Sequence, residues 1–250
     1  GHIAVEKICG VTWSWGLLDF RWCRYNSHRR CDGDSRRSSF AGSDQLTEDD
    51  IRSRRISAAL AGHRGETSQA RALLVDLDAT TRRIALGALE RLNELTTAEL
   101  RVALDDSNVS VRRRALEISA QRPDVQIESY LHDPDASVAD MAAFSLGERE
   151  EIDAVEELTK MASGHSDELC RETAVAALGA LATTTGADRP TILICLLDAM
   201  NDRAQIRRRA VLGLFQFEEL EAQEAVESAL SDKDRQVRAV ASELLGVVSD

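Results

Sequence analysis

Residues 106–120 read DSNVSVRRRALEISA, and this stretch decides the fold because the chain repeats its pattern. With Arg112 taken as the anchor, the pattern recurs at spacings of 27–36 residues. The other anchor positions are Arg82, Ala139, Arg171, Arg207 and Arg238. An alanine lies three residues after the anchor in all six copies, and a leucine lies seven residues after it in five of them. Self-similarity at a period of about 30 residues is typical of a repeat protein.

Each copy has the apolar pattern of a helix that packs on one side. The positions one before the anchor and three, six and seven after it fall on one stripe at about 100° per residue. We predict that this stripe is core, with the alanine where two helices approach closely. An apolar segment precedes each copy, so we expect a first and a second helix per repeat. The predicted first helices span residues 69–75, 98–104, 125–131, 154–162, 190–200 and 222–230.

A short polar joint separates the two helices of each repeat, as in Asp106-Ser-Asn108. Its last residue is placed to cap the second helix. Its first residue lies six positions before the anchor, so its carboxylate can reach the anchor arginine of its own or of the neighbouring repeat. We predict a structural ladder of alternating acids and arginines. Its residues are Asp76, Arg82, Asp106, Arg112, Arg171, Arg207, Asp232 and Arg238.

The joint aspartate, the Val-Arg pair and the following alanine and Leu-Gly resemble the HEAT-like repeats of the phycobilisome-lyase type, over about residues 50–249. The resemblance implies that the second helices form the concave side. Repeats and resemblance together predict an all-α fold, a right-handed α-solenoid of about six to seven HEAT-like helical hairpins. We expect the solenoid over residues 46–250, beginning with a degenerate capping repeat.

Residues 1–45 have a different composition and are expected to form a poorly ordered N-terminal extension. They contain all three tryptophans and three of the five cysteines. Their apolar stretch, residues 11–20, is too short to span a membrane. The arginines follow this stretch, whereas in a signal peptide the basic residues precede the apolar segment. Their potential zinc ligands match no common zinc spacing, and we expect no metal. These are Cys9, Cys23, His28 and Cys31.

The charge of the chain argues against polyanionic partners. Basic residues number 31 and acidic residues 43, and the first 40 residues hold seven and four of these. The remainder carries 24 against 39, a net charge of −15. Such a field repels nucleic acid and anionic membranes, so we expect neither as a partner. The excess of arginine over lysine fits either a salt-rich cytoplasm or a GC-rich genome. Cys170 and Cys195 lie at apolar positions and indicate a reducing, cytoplasmic location.

Three enzyme types share this repeat architecture. Iron-dependent deoxyhypusine hydroxylases use His-Glu pairs, and no histidine here precedes a glutamate. Repeat-built DNA glycosylases need an unbroken basic stripe, but the position after the anchors includes Asp140 and Glu172. Phycobilin lyases resemble the repeats most closely, yet no cluster of His, Tyr or Cys marks a chromophore pocket. We therefore expect a monomeric, non-enzymatic scaffold that binds another protein without a cofactor. A lyase, or a chaperone for a tetrapyrrole protein, is the alternative.

The position five after the anchor lies opposite the core stripe and is the candidate contact with a partner. It reads Gly87, Glu117, Phe144, Ala176, Leu212 and Glu243, with three apolar residues in succession. Phe144 and Leu212 would flank the small Ala176, and Phe215 would extend one wall. Arg113, Asp140, Glu172 and Arg208 would form a charged rim, as is common at interaction sites. The alternatives are that loops or the N-terminal extension cover these side chains, or that they only fill space between neighbouring helices.

Overall fold

The structure is a computed structural model, and it describes residues 47–247. Within that range it contains twelve α-helices and no strand. The predicted extension, residues 1–45, lies outside the described residues, and so do the potential zinc ligands within it. The described residues belong to one compact unit.

The helices follow one another as hairpins after a single initial helix. The bounds are α1 Glu48–Arg64, α2 Thr67–Ala72, α3 Ala79–Arg91, α4 Thr97–Leu104, α5 Val109–Ser119, α6 Ala136–Glu148, α7 Val155–Gly164, α8 Glu168–Leu181, α9 Arg189–Ala199, α10 Ala204–Leu214, α11 Leu220–Ser228 and α12 Arg235–Leu245. Short 3-10 helices lie at Leu73–Val75, Glu128–His132, Ile152–Ala154 and Ala229–Ser231. The segment before α6 has only the 3-10 helix Glu128–His132 as its first element.

The helices pack in two layers. In one layer the second helices stack in chain order, each on the next: α1, α3, α5, α6, α8, α10 and α12. The first elements pack against the second helices of their own hairpins, and α7 also contacts α9. A continuous apolar core lies among the repeats. The described residues therefore form an all-α solenoid of six hairpins, and α1 adds a seventh helix to the second layer. This agrees with the predicted six to seven hairpins.

The predicted core stripe is confirmed. The alanine three residues after each anchor is fully buried in all six repeats: Ala85, Ala115, Ala142, Ala174, Ala210 and Ala241. The residue before each anchor is also buried. A larger side chain at the alanine would push the two layers apart, because protein interiors leave little free volume.

Neighbouring second helices touch through small residues in the middle of the solenoid. A Cβ atom added to Gly147 of α6 would lie 2.9 Å from the Cβ of Ala177 in α8. A Cβ added to Gly179 of α8 would lie 3.1 Å from the Cα of Gly213 in α10. Side chains have no room at these contacts. The three helices that carry the candidate site are therefore held in close, fixed contact.

One predicted first helix is not an α-helix. Residues 125–131 were expected to be helical, but only the 3-10 helix Glu128–His132 forms there. This repeat is the shortest, with 27 residues between anchors, and a 3-10 helix spans more distance per residue than an α-helix. Val125 is nevertheless buried, and the nearly buried Arg149 donates from Nη1 to its carbonyl oxygen at 2.7 Å.

Candidate functional site

Four anchor arginines of the ladder, Arg82, Arg112, Arg171 and Arg207, each connect two consecutive repeats. Nε and Nη2 of Arg82 donate to the two carboxylate oxygens of Asp106, both at 2.7 Å, in the joint of the next repeat. Nη1 of the same guanidinium donates to the carbonyl oxygen of Asp76 at 2.8 Å, in its own joint. The sequence left open which repeat supplies the carboxylate. In the structure it is always the following one, while the arginine's own joint supplies a carbonyl group.

The same arrangement recurs along the layer at distances of 2.6–3.0 Å. Its further pairs are Arg112 with Asp133, Arg171 with Asp202, and Arg207 with Asp232. At the first end Asp76 accepts from Nη1 of Arg54 at 3.1 Å. At the last end Nη1 of Arg238 donates to the carbonyl oxygen of Asp232 at 2.7 Å. Bidentate pairs of this kind fix geometry as well as charge, so the ladder holds successive repeats in register.

Pairing in the ladder lowers the pKa of Asp106, Asp202 and Asp232. The hydrogen bond from Arg207 holds the pKa of Asp232 below its ordinary value, against the opposing effect of burial. For Asp106, burial raises the pKa, but the hydrogen bonds from Arg82 and from the Asn108 N–H outweigh it and leave the pKa lowered. These carboxylates are thus ionised and paired at neutral pH.

The ladder is interrupted between α6 and α8, where both partners are replaced together. The anchor of α6 is the buried Ala139, and the residue six before Arg171 is His165 instead of an aspartate. A carboxylate at position 165 would have no arginine from α6, and a lone charge left half-buried is costly. Arg171 still donates to the carbonyl oxygen of His165 at 2.9 Å. The contact between α6 and α8 relies instead on the small residues described above.

Three second helices present the apolar residues of the candidate site on one face. Phe144 on α6 is 38% exposed, and Ala176 on α8 and Leu212 on α10 are half-buried. Phe215, directly after the last residue of α10, is 45% exposed. Because α6, α8 and α10 stack in that order, the equivalent positions of Phe144, Ala176 and Leu212 favour the predicted row, which Phe215 would extend by one helical turn. The row is a partly exposed apolar strip with a small residue at its centre.

Asp140 does not stand at an open rim, because its side chain is almost fully buried, with 4% exposed. Its Oδ1 accepts a hydrogen bond from Oγ1 of Thr173 at 2.6 Å, which links α6 to α8. Burial raises the pKa of Asp140 above its ordinary value, and the hydrogen bond and the positive charge of Arg113 only partly oppose this. Asp140 is therefore a buried acid beneath the surface rather than a contact residue.

Glu172 lies at the equivalent position on α8 and belongs to a charged network with α10. Its Oε1 accepts from Nε of Arg209 at 3.0 Å and lies 3.7 Å from Nη2 of Arg208. Burial lowers the pKa of Arg208. This network borders the apolar row on the α10 side, close to Leu212.

Arg113 on α5 has a different environment. It is half-buried, its Nε is fully buried, and it forms no hydrogen bond or ion pair with any residue in the range 47–247. Arg83, at the same position on α3, is exposed. The repeat pattern places both residues beside the row that leads to Phe144. The sequence could not show that Arg113 lacks an acceptor, because this depends on which residues of the neighbouring repeats, such as Asp140, lie close to it.

The described part of the chain has neither a metal-binding cluster nor a membrane-spanning helix. Between residues 47 and 247 no group of three or more His, Cys, Asp or Glu side chains is placed to hold a metal ion. No helix among the described residues is long and apolar enough to cross a membrane.

Residues 123–203 match the family model described as HEAT repeats. This range includes α6 and α8, and hence Phe144 and Ala176 of the apolar row. The fold and this match together define an α-solenoid in which residues 123–203 are similar to HEAT repeats.

Solved structures similar to the chain include engineered repeat proteins. One is an engineered protein from the Northeast Structural Genomics Consortium, with 16% identity, a TM-score of 0.40, and coverage of 80% of this chain and 88% of that chain. Another is a designed armadillo repeat protein in complex with the peptide (KR)4, with 16% identity, a TM-score of 0.42, and coverage of 81% and 92%. A second designed armadillo repeat protein has 14% identity, a TM-score of 0.39, and coverage of 82% and 96%. No curated protein matches the chain.

Proposed function

We propose that the chain is a non-enzymatic interaction scaffold that binds another protein across α6, α8 and α10, and that its repeats are of the phycobilisome-lyase-like type. The observation that carries this proposal is the row of Phe144, Ala176, Leu212 and Phe215. Large apolar side chains remain partly exposed on α6 and at α10, on either side of the small Ala176 of α8. Rows of this kind, bordered by charged groups, are typical of protein-binding surfaces.

The rigidity of the surface supports the same function. Gly147 and Gly179 bring the three helices into close contact, and the ladder pairs Arg171 with Asp202 and Arg207 with Asp232 across the joints. A preformed surface loses little conformational entropy on binding, which favours affinity from a small contact area.

The experiment compares affinity capture by the wild-type chain and by a Phe144→Asp, Leu212→Asp double variant, at the salt concentration of the native lysate. The proteins captured by the wild type are identified by mass spectrometry and then purified for titration against both chains. Val102→Asp is the matched control, because Val102 is 73% exposed but lies on α4 in the other layer. Charges placed in an apolar contact are not solvated, so we expect the double variant to bind at least about tenfold more weakly.

Melting temperatures decide how that result is interpreted. The proposal requires the double variant to keep the helical content and the melting temperature of the control while losing the partner. If the double variant unfolds, the two side chains belong to the core and the binding surface does not exist. If the variant folds and still binds the partner with wild-type affinity, the partner binds elsewhere.

A tetrapyrrole-handling function is the alternative, and it rests on the resemblance to lyases alone. It predicts a new absorption band when a bilin is added to the purified chain. The appearance of this band together with failure to capture any protein would favour the alternative over the scaffold.

A further inference from the structure

The environment of Arg113 points to a second component of the binding surface. A guanidinium group has five N–H donors and is always charged, so a half-buried arginine normally finds a carboxylate or several carbonyl groups. Arg113 has neither within residues 47–247. Asp140 interacts with it electrostatically, but Oδ1 of Asp140 accepts from Thr173 and the side chain is buried. Nε of Arg113 is fully buried, so it is the Nη1 and Nη2 groups, which form no hydrogen bond within the described residues, that can donate to an external acceptor.

One neighbouring arginine, Arg83, extends the positive charge towards the first end of the solenoid, and a second, Arg114, is paired with Glu117. Arg83 lies one helix away from Arg113, at the same position on α3, and is exposed. The side chain of Arg114 lies over Gly87 of α3, since a Cβ added there would be 3.3 Å from Nη2 of Arg114. Glycine at the position where later repeats carry Phe144 or Leu212 thus leaves space for a guanidinium group. On α5 the row position itself is the exposed Glu117, which is paired with Arg114 at 2.7 Å, so Arg83 and Arg113 are the cations of this face that remain for a partner.

An acidic peptide fits this face better than a nucleic acid does. The basic part is confined to two helices, and Glu172 follows on α8, so a phosphate backbone running along the face would meet a carboxylate. The chain from residue 41 onward also carries a net charge of −15, which opposes a long polyanion at every position. A short segment with one or two carboxylates would interact only with the basic end.

We propose that the partner is a protein segment that places one or two carboxylates against Arg113 and Arg83 and places apolar side chains against Phe144 and Leu212. This proposal rests on the proposed scaffold function and specifies its partner. Stacked helices lie about 10 Å apart and an extended chain spans about 3.3 Å per residue, so each helix corresponds to about three residues of the segment. The segment carries its first apolar residue about three positions from the acid and a second one about six positions beyond that.

The test is a selection of random 12-residue peptides displayed on phage, carried out against the intact chain and against Arg113→Gln. We expect the wild type to enrich peptides with acids at one end and apolar residues at the stated spacings. Selection on Arg113→Gln should enrich the apolar residues without the acids. For a peptide selected on the wild type, Arg113→Gln should weaken binding about tenfold, the effect expected for a lost hydrogen bond between charged groups. Arg101→Gln is the matched control, since it removes the same charge from α4 on the other layer.

The possible outcomes distinguish a failure of the acidic-segment proposal from a failure of the scaffold function. Enriched peptides that are apolar but not acidic would overturn the role of Arg113 and leave the scaffold intact. Failure to enrich any peptide that depends on Phe144 would count against the scaffold itself. A labelled DNA oligonucleotide is titrated in parallel, and binding that is lost in Arg113→Gln would show that the basic end takes a nucleic acid instead.

Discussion

At four of the six anchor positions one arginine connects two joints, and this explains why the position is conspicuous in the sequence. Nε and Nη2 of Arg82 bind the carboxylate of Asp106, while Nη1 binds the carbonyl group of Asp76. Lysine has a single ammonium group and could not replace this planar, three-point contact. The side chains of Arg82 and Asp106 are mostly buried, so their pairing is shielded from screening by salt.

The contribution of the ladder is tested by Asp106→Ala. This change removes two hydrogen bonds from Arg82 and one from the N–H of Asn108, and leaves Arg82 half-buried without its carboxylate. We expect the free energy of unfolding to fall by about 1–3 kcal/mol, measured by urea denaturation. Asp135→Ala is the comparison, because Asp135 caps α6 and such a cap contributes about 1 kcal/mol. A loss for Asp106→Ala no larger than that for Asp135→Ala would mean that only capping matters.

Burial also controls the chemistry of the two described cysteines. It raises the pKa of the Cys170 thiol to about 12 and that of Cys195 to about 11. At pH 8 the thiolate fraction of Cys195 is then roughly a thousandth, so alkylation should be slow. We expect iodoacetamide to label both residues far more slowly in the native chain than in urea, as followed by peptide mass spectrometry. Equal rates in the two conditions would show that the thiols are accessible.

At the scale of elements, the sequence predicted the second helices correctly, because their apolar pattern is regular. It was wrong about residues 125–131, which were expected to be an α-helix but contain only a 3-10 helix. Ala85 and its equivalents are buried as predicted, because the 3.6-residue period determines which face meets the core. Residues 125–131 have a suitable apolar pattern, but their repeat has only 27 residues between anchors. A 3-10 helix spans the distance between the neighbouring second helices with fewer residues than an α-helix would need. The burial of Asp140 was also missed, because periodicity places a residue on a helix face but does not show whether a neighbouring helix covers it.

The close contact between α6 and α8 gives a prediction about glycine. Gly147→Ala adds a Cβ within 2.9 Å of the Cβ of Ala177 and 3.0 Å of its Cα, so the helices must separate slightly. We expect a loss of about 1–3 kcal/mol in the free energy of unfolding. Gly164→Ala is the matched control at the end of α7, where a Cβ meets nothing within 4 Å.

Alanine stabilises a helix relative to glycine by up to about 1 kcal/mol, so the control variant should be as stable as the wild type or slightly more stable. Thermal melts of the two variants test the comparison. If Gly147→Ala were as stable as Gly164→Ala, the two helices would have room to spare and the rigidity of the surface would lose its main support.

For the whole molecule, the pKa shifts predict how stability depends on pH. The pKa values of Asp106, Asp202 and Asp232 are lowered in the folded state, so their contribution is present above the ordinary carboxyl pKa near 4 and is lost as the pH falls below it. Burial raises the pKa of Asp140 and of Glu148, so these groups destabilise the folded state at neutral pH and cease to do so as they become protonated.

The melting temperature should therefore rise slightly from pH 7 towards pH 5 and then fall steeply below about pH 4. Asp140→Asn keeps an oxygen for Thr173 but cannot ionise, so it should reduce the rise at mildly acidic pH and leave the fall unchanged. A melting temperature that declines steadily from pH 7, in both the wild type and Asp140→Asn, would contradict the assigned shifts.

The sequence predicted the repeat and the two layers correctly, because these follow from local periodicity, and the candidate row stays a prediction. It could not supply the direction of the ladder or the unpaired donors of Arg113, because both depend on which repeats meet in space. The replacement of an arginine by Ala139 and of a joint aspartate by His165 is visible in the sequence. Its meaning as one missing pair emerges only when the following repeat is known to provide the carboxylate.

The central claim is that the partner binds to the second-helix layer at α6, α8 and α10, and site-specific photocrosslinking tests it most directly. Phe215 is 45% exposed in the row, and Ile194 is 69% exposed on α9 in the other layer. Each is replaced in turn by benzoylphenylalanine, and the chain is irradiated with the partner captured by the wild type. The account predicts a covalent adduct from position 215 and none from position 194. An adduct from position 194 and none from position 215 would contradict it.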